Sequence, residues 1–167
     1  MTKTKLGEEL VEAIVEAHRK GGKVLIAGNG GLCAIGEHFS AELMGKFAFE
    51  VFIPCIALTG NTSLLTALAN DLGFEEVFAH QVRVLGRPGD VLIAMTTSAS
   101  LNIVKAIMAG NELGLTTALL CGQGSPDMAA NQTYRMNCED AVAAVQQEIM
   151  SFLHYVAHNC KRSLTRG

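Results

Sequence analysis

Four short apolar runs, separated by segments of helical periodicity, constrain the fold of this chain more than any other feature. The runs cover residues 23–27, 51–58, 90–95 and 116–121, and a weaker fifth candidate covers 133–138. They lack the polar alternation of a half-exposed strand, as expected where helices cover both faces of a sheet. Helical patterns lie at 6–20, 34–47, 63–69, 74–85, 101–113 and 140–164, with a predicted break at 70–73. The alternation predicts a doubly wound α/β domain with a parallel sheet flanked by helices, and binding sites at the carboxyl ends of its strands.

The length and composition favour one domain that buries part of its surface against other subunits. With 167 residues the chain can form one full hydrophobic core, so we expect a single domain over residues 1–167. Hydrophobic residues make up 49% and charged residues only 17%, which indicates a surface partly covered by other subunits. A net charge of -3 without a basic run argues against nucleic acid as a partner.

The N-terminal segment and the cysteines indicate the compartment. Residues 1–22 form an amphipathic pattern with acidic residues throughout, neither a signal peptide nor apolar enough to span a membrane. The cysteines at positions 33, 55, 121, 138 and 160 are scattered and form no C-x-x-C pair, which is typical of reduced thiols. We therefore expect a cytoplasmic protein without a membrane partner.

A glycine-rich turn follows the first predicted strand and leads directly into a helix. Gly28, Asn29, Gly30 and Gly31 allow a sharp turn that leaves backbone N–H groups bare. The helix presents its positive dipole end there, which favours an anion such as phosphate. The spacing matches neither the dinucleotide fingerprint G-x-G-x-x-G nor a P-loop. A plain tight turn explains the same residues equally well, so both interpretations stay open.

Hydroxyl-rich loops follow the next predicted strands. Thr96, Thr97, Ser98 and Ser100 precede a helix and provide more hydroxyls than one N-cap needs. The polar loop at 59–63 repeats the pattern after the second strand. Three such loops describe a pocket for a polyol phosphate better than a nucleotide site. Asp71, at the predicted helix break, is a candidate to bind a sugar hydroxyl or, equally, to cap a helix.

Two helices carry side chains suited to acid–base or metal chemistry. His38 and Glu42 are four residues apart on one helix face, and Gln146 and His154 are eight apart on nearly one face of the last helix. Imidazole, carboxylate and amide groups can bind a divalent metal such as zinc, or act as an acid and a base. A surface ion pair explains His38 and Glu42 by themselves, and spacing does not show that the two helices meet.

Longer sequence blocks resemble a known family. They are GNGG at 28–31, EHFSAEL at 37–43, IALTGNTSLLTALANDLGFEEVFAHQV at 56–82, LGRPGDVLIAMTTS at 85–98 and the spacing of positions 146 and 154. These blocks resemble the sugar isomerase (SIS) domain family and, within it, the bacterial phosphoheptose isomerases. The resemblance covers nearly the whole chain. It implies a homotetramer of flavodoxin-like subunits with active sites at the subunit interfaces.

The resemblance also implies a reaction and the residues that carry it. The reaction is an aldose–ketose isomerisation of sedoheptulose 7-phosphate to D-glycero-D-manno-heptose 7-phosphate, the first step towards lipopolysaccharide heptose. Glu42 would be the base and His154 its partner acid. In members that bind zinc, the ligands of one ion per subunit would be His38, Glu42, Gln146 and His154. The candidate substrate-binding residues are Asn29, Gly30, Gly31, Asp71, Thr96, Thr97, Ser98, Ser100 and Gln146.

Three departures from the family pattern affect substrate binding. Leu32 stands where the family has Ser after GNGG, so the backbone N–H remains and the hydroxyl is lost. The loop TTSASLN at 96–102 is one residue shorter than the family's S-T-S-G-N-S-x-N and has Ala99 in place of Gly. The family's T-x-R-I-Q is VAAVQ at 142–146.

None of these changes touches the acid–base set, so the leading interpretation is an isomerase for this or a closely related phosphosugar. Two non-catalytic alternatives stay open. One is an interaction protein like the DnaA initiator-associating protein, a SIS relative that binds a replication initiator. The other is a phosphosugar sensor that binds its ligand without turnover.

Overall fold

The predicted parallel sheet is present and has five strands in the part of the chain that the structure describes. A computed structural model describes residues 3–138 and 141–165. The strands are β1 (Val24–Gly28), β2 (Cys55–Ala57), β3 (Val91–Thr96), β4 (Thr116–Cys121) and β5 (Gln132–Arg135). They are hydrogen-bonded in the order β2-β1-β3-β4-β5, and every neighbouring pair is parallel.

Helices cover both faces of the sheet. In the described part of the chain they are α1 (Lys3–Arg19), α2 (Gly31–Met44), α3 (Thr62–Leu72), α4 (Val77–Leu85), α5 (Leu101–Glu112) and α6 (Val142–Thr165), with a 3-10 turn at Phe74–Glu76. One buried cluster joins α1, α2 and α6 to strand residues such as Ile26 and Ile93. The other joins α3, α4 and α5 to Leu25 and Leu92. Alternate residues of one strand thus enter different cores, which explains why the runs lack polar alternation.

Several predicted elements have different bounds in the structure. Of the run at 51–58 only Cys55–Ala57 pairs as β2, since this strand lies at the sheet edge, where Phe52 and Ile56 are exposed and Pro54 has no N–H to donate. The weak fifth run forms β5 but ends at Arg135. The predicted start of the last helix at Asp140 lies outside the described residues, and α6 begins at Val142.

The predicted helix break at 70–73 is present but is confined to Gly73. Helix α3 continues to Leu72 and stops at Gly73, whose φ of 92° suits glycine. Asp71 therefore lies in the last turn of α3, is exposed, and accepts a hydrogen bond of 2.8 Å from Asn70 Nδ2. The polar residues Asn70 and Asp71 do not end the helix, because its backbone hydrogen bonds continue until Gly73.

The strand order places a crevice between two loops. β1 pairs with β2 on one side and with β3 on the other, so the chain reverses its winding direction between β1 and β3. In open α/β sheets, ligands bind outside the carboxyl ends of the strands at such a switch point. The two loops at this point are the glycine-rich turn after β1 and the hydroxyl loop after β3. Among the described residues, no helix is long and apolar enough to cross a membrane.

Candidate active site

Three side chains of the predicted site meet where α2 packs against α6. His38 and Glu42 lie one turn apart on α2, and His154 faces them from α6. The Nε2 atom of each histidine lies 3.1 Å from Glu42 Oε1, and the two Nε2 atoms lie 3.1 Å from each other. The two helices therefore meet, which the sequence left open. We refer to His38, Glu42 and His154 as the His–Glu cluster.

The His–Glu cluster is buried on its carboxylate side and open on its imidazole side. The Glu42 side chain is 8% exposed, whereas those of His38 and His154 are 47% and 44% exposed. Glu42 Oε2 is buried and has no hydrogen-bond partner among the described residues. The two imidazole rings meet edge to face, and Phe47 lies beside His154. A ligand can therefore reach the imidazoles from solvent, and one carboxylate oxygen keeps its lone pairs unused.

The donor set of the His–Glu cluster fits a divalent metal ion. Ligand atoms of all three residues lie within 4.8 Å of one another. Two imidazole nitrogens and one carboxylate oxygen match the protein ligands of catalytic zinc sites, which keep one position open for water or substrate. Two Nε2 atoms 3.1 Å apart need a proton or a cation between them. The unpaired Glu42 Oε2 is a further oxygen that could bind a metal ion. These residues fit zinc, and the identity of the ion stays a prediction.

Gln146 contacts the start of α2. Its side-chain amide packs against Gly31 at the start of α2, so closely that a Cβ at Gly31 would lie 2.6 Å from Gln146 Oε1. His38 is seven residues further along α2, which corresponds to about 10 Å of helical rise. The structure thus places Gln146 beside the glycine-rich turn. Its role as a metal ligand stays a prediction.

The glycine-rich turn exposes the N-terminus of α2. Gly30 has φ 56° and ψ −123°, a backbone conformation that suits glycine, and no side chain among the described residues caps the helix. The N–H groups of Leu32 and Cys33 donate to the carbonyls of Asn29 and Gly30, each at 3.0 Å. The N–H group of Gly31, the first helical residue, has no acceptor within α2. The turn therefore presents a bare donor at the positive end of a helix, as an anion site requires.

The hydroxyl loop uses one of its side chains internally. The buried Thr96 hydroxyl donates to the Ser98 carbonyl and accepts from the Ser98 N–H at 3.1 Å. Ser98 is exposed, and Thr97 and Ser100 are half-buried. Ser100 stands at the N-cap of α5 without a capping hydrogen bond from its side chain. Thr96 therefore closes the turn, and the hydroxyls of Thr97, Ser98 and Ser100 remain available to a ligand.

Two asparagines join the glycine-rich turn to the start of α5. Asn29 Nδ2 donates to Asn102 Oδ1, and Asn102 Nδ2 donates to Asn29 Oδ1, both at 2.9 Å. Asn102 is only 3% exposed. Sequence reasoning named Asn29 and missed Asn102. The available signal was its position in the first turn of a helix that follows a hydroxyl-rich loop, where a buried amide needs a partner.

A further carboxylate lies between the glycine-rich turn and the loop at 59–63. Thr59 Oγ1 donates to Glu37 Oε1 at 2.9 Å, and Cys33 Sγ donates to the same oxygen at 3.5 Å. Burial raises the pKa of the Cys33 thiol, so the thiol is a neutral donor here. The three residues help to line a cavity of about 280 Å³ beside the turn. The sequence analysis did not predict Glu37, because it selected residues by the four-residue spacing of His38 and Glu42. Asp71 does not line this cavity.

A buried cation stands at the other end of α2. Lys161 lies on α6 two turns beyond His154, is fully buried, and donates a hydrogen bond of 2.5 Å to the carbonyl of Gly45, the C-cap of α2. The Phe52 ring centroid lies 5.9 Å from its ammonium. Burial lowers the pKa of Lys161, and the charge of Glu42 opposes this effect. A cation at a helix C-terminus is favourable, so this contact ties the helix that carries Glu42 to α6.

Cys33, Cys55, Cys121 and Cys160 are free thiols in the described part of the chain. Three of them, Cys55, Cys121 and Cys160, are buried in the two cores. They act as small hydrophobic side chains and take no part in the His–Glu cluster.

Comparison with known proteins places this geometry in a family. Residues 3–122 match the SIS domain. A phosphoheptose isomerase from Geotalea daltonii is 37% identical over an alignment 170 positions long, which covers 95% of this chain and 88% of the relative. One from Nitratidesulfovibrio vulgaris is 42% identical over 132 residues, which cover 78% of this chain and 64% of the relative. The structure of a phosphoheptose isomerase from Francisella tularensis has a TM-score of 0.90 at 30% identity and covers 95% of this chain and 86% of that one.

The chain belongs to the SIS domain family. Its curated relatives within that family are phosphoheptose isomerases, and the doubly wound fold predicted from the sequence is the fold that they share. The aligned part of the chain spans between 64% and 88% of the length of the two relatives described above.

Proposed function

We propose that this protein is an aldose–ketose isomerase that converts sedoheptulose 7-phosphate into D-glycero-D-manno-heptose 7-phosphate, a heptose precursor of lipopolysaccharide. The observation that carries the proposal is the His–Glu cluster, where a buried carboxylate lies 3.1 Å from two solvent-facing imidazoles. The phosphoheptose isomerases among its relatives supply the substrate class. The donors at Gly31, Ser98 and Ser100 suit the phosphate group.

The residues of the His–Glu cluster can perform each proton transfer. The base removes a proton from C1 of the ketose while the carbonyl oxygen at C2 receives a proton, which gives an enediol. The carbon-bound proton then returns at C2 as a proton leaves the oxygen at C1. Glu42, whose Oε1 faces the two exposed imidazoles, suits the transfer between carbons, and His154 suits the transfers at oxygen. Each group contributes about 10²- to 10⁴-fold to such a reaction.

Zinc, held by His38, Glu42 and His154, would polarise the sugar carbonyl. The two imidazole nitrogens and the carboxylate oxygen that support this ion are already close together. The same three residues can exchange protons with the substrate directly, so the proposed acid–base roles of Glu42 and His154 do not require the ion.

The proposed assembly is a cytoplasmic homotetramer with active sites at subunit interfaces. An apolar groove of about 630 Å³ beside α2 supports an interface, because Met44, Ile56 and Leu64 line it and are exposed in the single chain. The groove also contains Glu37, whose neighbour His38 belongs to the His–Glu cluster. An interface at this groove would therefore lie next to the proposed site.

The test is turnover of sedoheptulose 7-phosphate by the purified protein, with and without added zinc, beside the variant Glu42→Gln. The reaction is run in D₂O and followed by NMR, because a proton that passes through a protein base exchanges with solvent. We expect the aldose 7-phosphate with deuterium at C2 from the wild type, and about a 10²- to 10⁴-fold loss in Glu42→Gln.

The matched control is Glu16→Gln, which removes an exposed carboxylate on α1 that pairs with Lys20. This variant should retain wild-type turnover. Absence of aldose product from the wild type under both conditions would reject the isomerase and favour the non-catalytic alternatives. Full activity in Glu42→Gln would reject Glu42 as the base.

A further inference from the structure

The reciprocal amide pair spans the crevice at the switch point of the sheet. β1 and β3 are neighbours, with Gly28 opposite Met95, so their following loops leave the sheet side by side. Asn29 belongs to the first loop, and Asn102 belongs to the first turn of the helix that follows the second. Two hydrogen bonds of 2.9 Å join these amides and cross from one loop to the other.

The pair fixes the orientation of both amide side chains. Each amide donates to the other and accepts from it, so the two side chains satisfy each other in a fixed orientation. Asn102 is 3% exposed, so removal of its partner would leave a buried amide unpaired. The contact fixes the orientation of the Asn29 side chain, which keeps one amide N–H, and the backbone of the turn, to offer to a ligand.

The glycine-rich turn needs such an external restraint. Gly30 has a positive φ, and glycine has the widest choice of backbone conformations. No side chain among the described residues caps α2, so the turn is not held by a capping bond. The contact with Asn102 fixes the residue immediately before Gly30, and thereby the direction of the N–H groups that follow.

We propose that Asn102 is a positioning residue for the phosphate group of the substrate. It holds Asn29 so that the N–H groups of Gly30 and Gly31 stay aimed at the anion, and it fixes their distance from the hydroxyls of Ser98 and Ser100. This inference rests on the proposed phosphosugar function. It adds a residue that does not touch the substrate and acts through the loop that does.

The experiment compares Asn102→Ala and Asn102→Asp with the matched control Asn111→Ala. Asn111 is on the same helix at its other end and also joins two elements, since its Nδ2 donates to the Ala129 carbonyl and its Oδ1 accepts from Thr117 Oγ1. For each protein we measure KM and kcat for sedoheptulose 7-phosphate, the dissociation constant of inorganic phosphate by calorimetry, and the melting temperature.

We expect Asn102→Ala to raise KM and the phosphate dissociation constant together by about tenfold, because a misdirected turn loses one to two hydrogen bonds to the anion. kcat should stay within about twofold of the wild type, since the His–Glu cluster is unchanged. Asn102→Asp should weaken phosphate binding further, because a carboxylate replaces an amide beside an anion site. Asn111→Ala should lower the melting temperature and leave KM and phosphate affinity unchanged.

Two results would overturn the inference. One is an Asn102→Ala variant with a lower melting temperature but wild-type KM and phosphate affinity, which would make Asn102 a structural residue only. The other is equal weakening of phosphate binding in Asn111→Ala. The calorimetric arm needs no turnover, so a wild type that binds phosphate without isomerising the sugar would reject the proposed reaction and still test Asn102.

Discussion

The variant Leu32→Ser tests whether residue 32 belongs to the phosphate-binding turn or to the hydrophobic core. The Leu32 side chain is 3% exposed and belongs to the buried cluster under α1, α2 and α6. It also lies against the chain at Gly28, where an added Cβ would be 2.8 Å from Leu32 Cβ. A hydroxyl at this position would therefore enter the core and not the loop crevice.

The magnitude follows from this burial. Truncation of a buried leucine to alanine lowers the unfolding free energy by about 2–5 kcal/mol, and a buried hydroxyl without a partner adds about 1–3 kcal/mol. We expect a loss of at least about 3 kcal/mol for Leu32→Ser. For a chain of this size, about 2–4 °C per kcal/mol gives a melting temperature lower by about 6–12 °C.

The assay is calorimetric melting at pH 7 together with KM for sedoheptulose 7-phosphate. Leu32→Met is the control, because it nearly conserves volume and should cost less than about 1.5 kcal/mol. We expect KM of Leu32→Ser to remain at the wild-type value under conditions where the variant is folded. A melting temperature within about 2 °C of the wild type, combined with a lower KM, would refute this reasoning and place residue 32 in the phosphate-binding turn.

Three further predictions use other parts of the structure. Zinc at a hundredfold excess over its dissociation constant should raise the unfolding free energy by about 2.7 kcal/mol, and His154→Ala, which removes one of the three clustered donors, should abolish the shift in a melting assay. Asp90→Ala should lower the unfolding free energy by about 3 kcal/mol in urea, because this buried carboxylate accepts from two backbone N–H groups and one ammonium. Lys161→Met should change the unfolding free energy by less than about 1 kcal/mol, since a buried charge is exchanged for an apolar chain of similar size. Lys161→Ala should lower the unfolding free energy by about 3 kcal/mol, because it leaves a cavity.

Each of these predictions has a contrary result. A zinc-dependent shift that survives in His154→Ala would place the ion elsewhere. Asp90→Ala with wild-type stability in urea would mean that its backbone donors find other acceptors. A Lys161→Met variant as unstable as Lys161→Ala would show that the ammonium, and not the packing of its stem, holds the end of α2.

The central strands were predictable because they are buried on both faces. The apolar run at 116–121 matches β4, and those at 23–27 and 90–95 are displaced from β1 and β3 by one residue. The run at 51–58 was too long because the sequence does not show which strand lies at the edge. Phe52 and Ile56 are apolar and yet exposed in the single chain, so composition alone makes them resemble core residues.

The candidate site was predictable in its short-range part only. The spacing of His38 and Glu42 determines that they share a helix face, and the structure confirms this contact. The meeting with His154 depends on the packing of α2 against α6, which no local pattern encodes. Gln146 shares a face with His154, but eight residues correspond to about 12 Å along α6, so the packing that brings one to the cluster takes the other to the glycine-rich turn.

The acid–base side chains and the anion cradle lie on different kinds of structure, and this division bears on how the protein can evolve. The His–Glu cluster is carried by two helices packed on one sheet face, where a shift of either helix would disturb the core. The proposed anion site is formed by loops, which accept substitutions and changes of length at small cost to the fold. Under the proposed function, mutations in the loops can change which phosphorylated sugar binds while the two helices retain the acid–base residues. The shortened loop with Ala99 is a change of this kind.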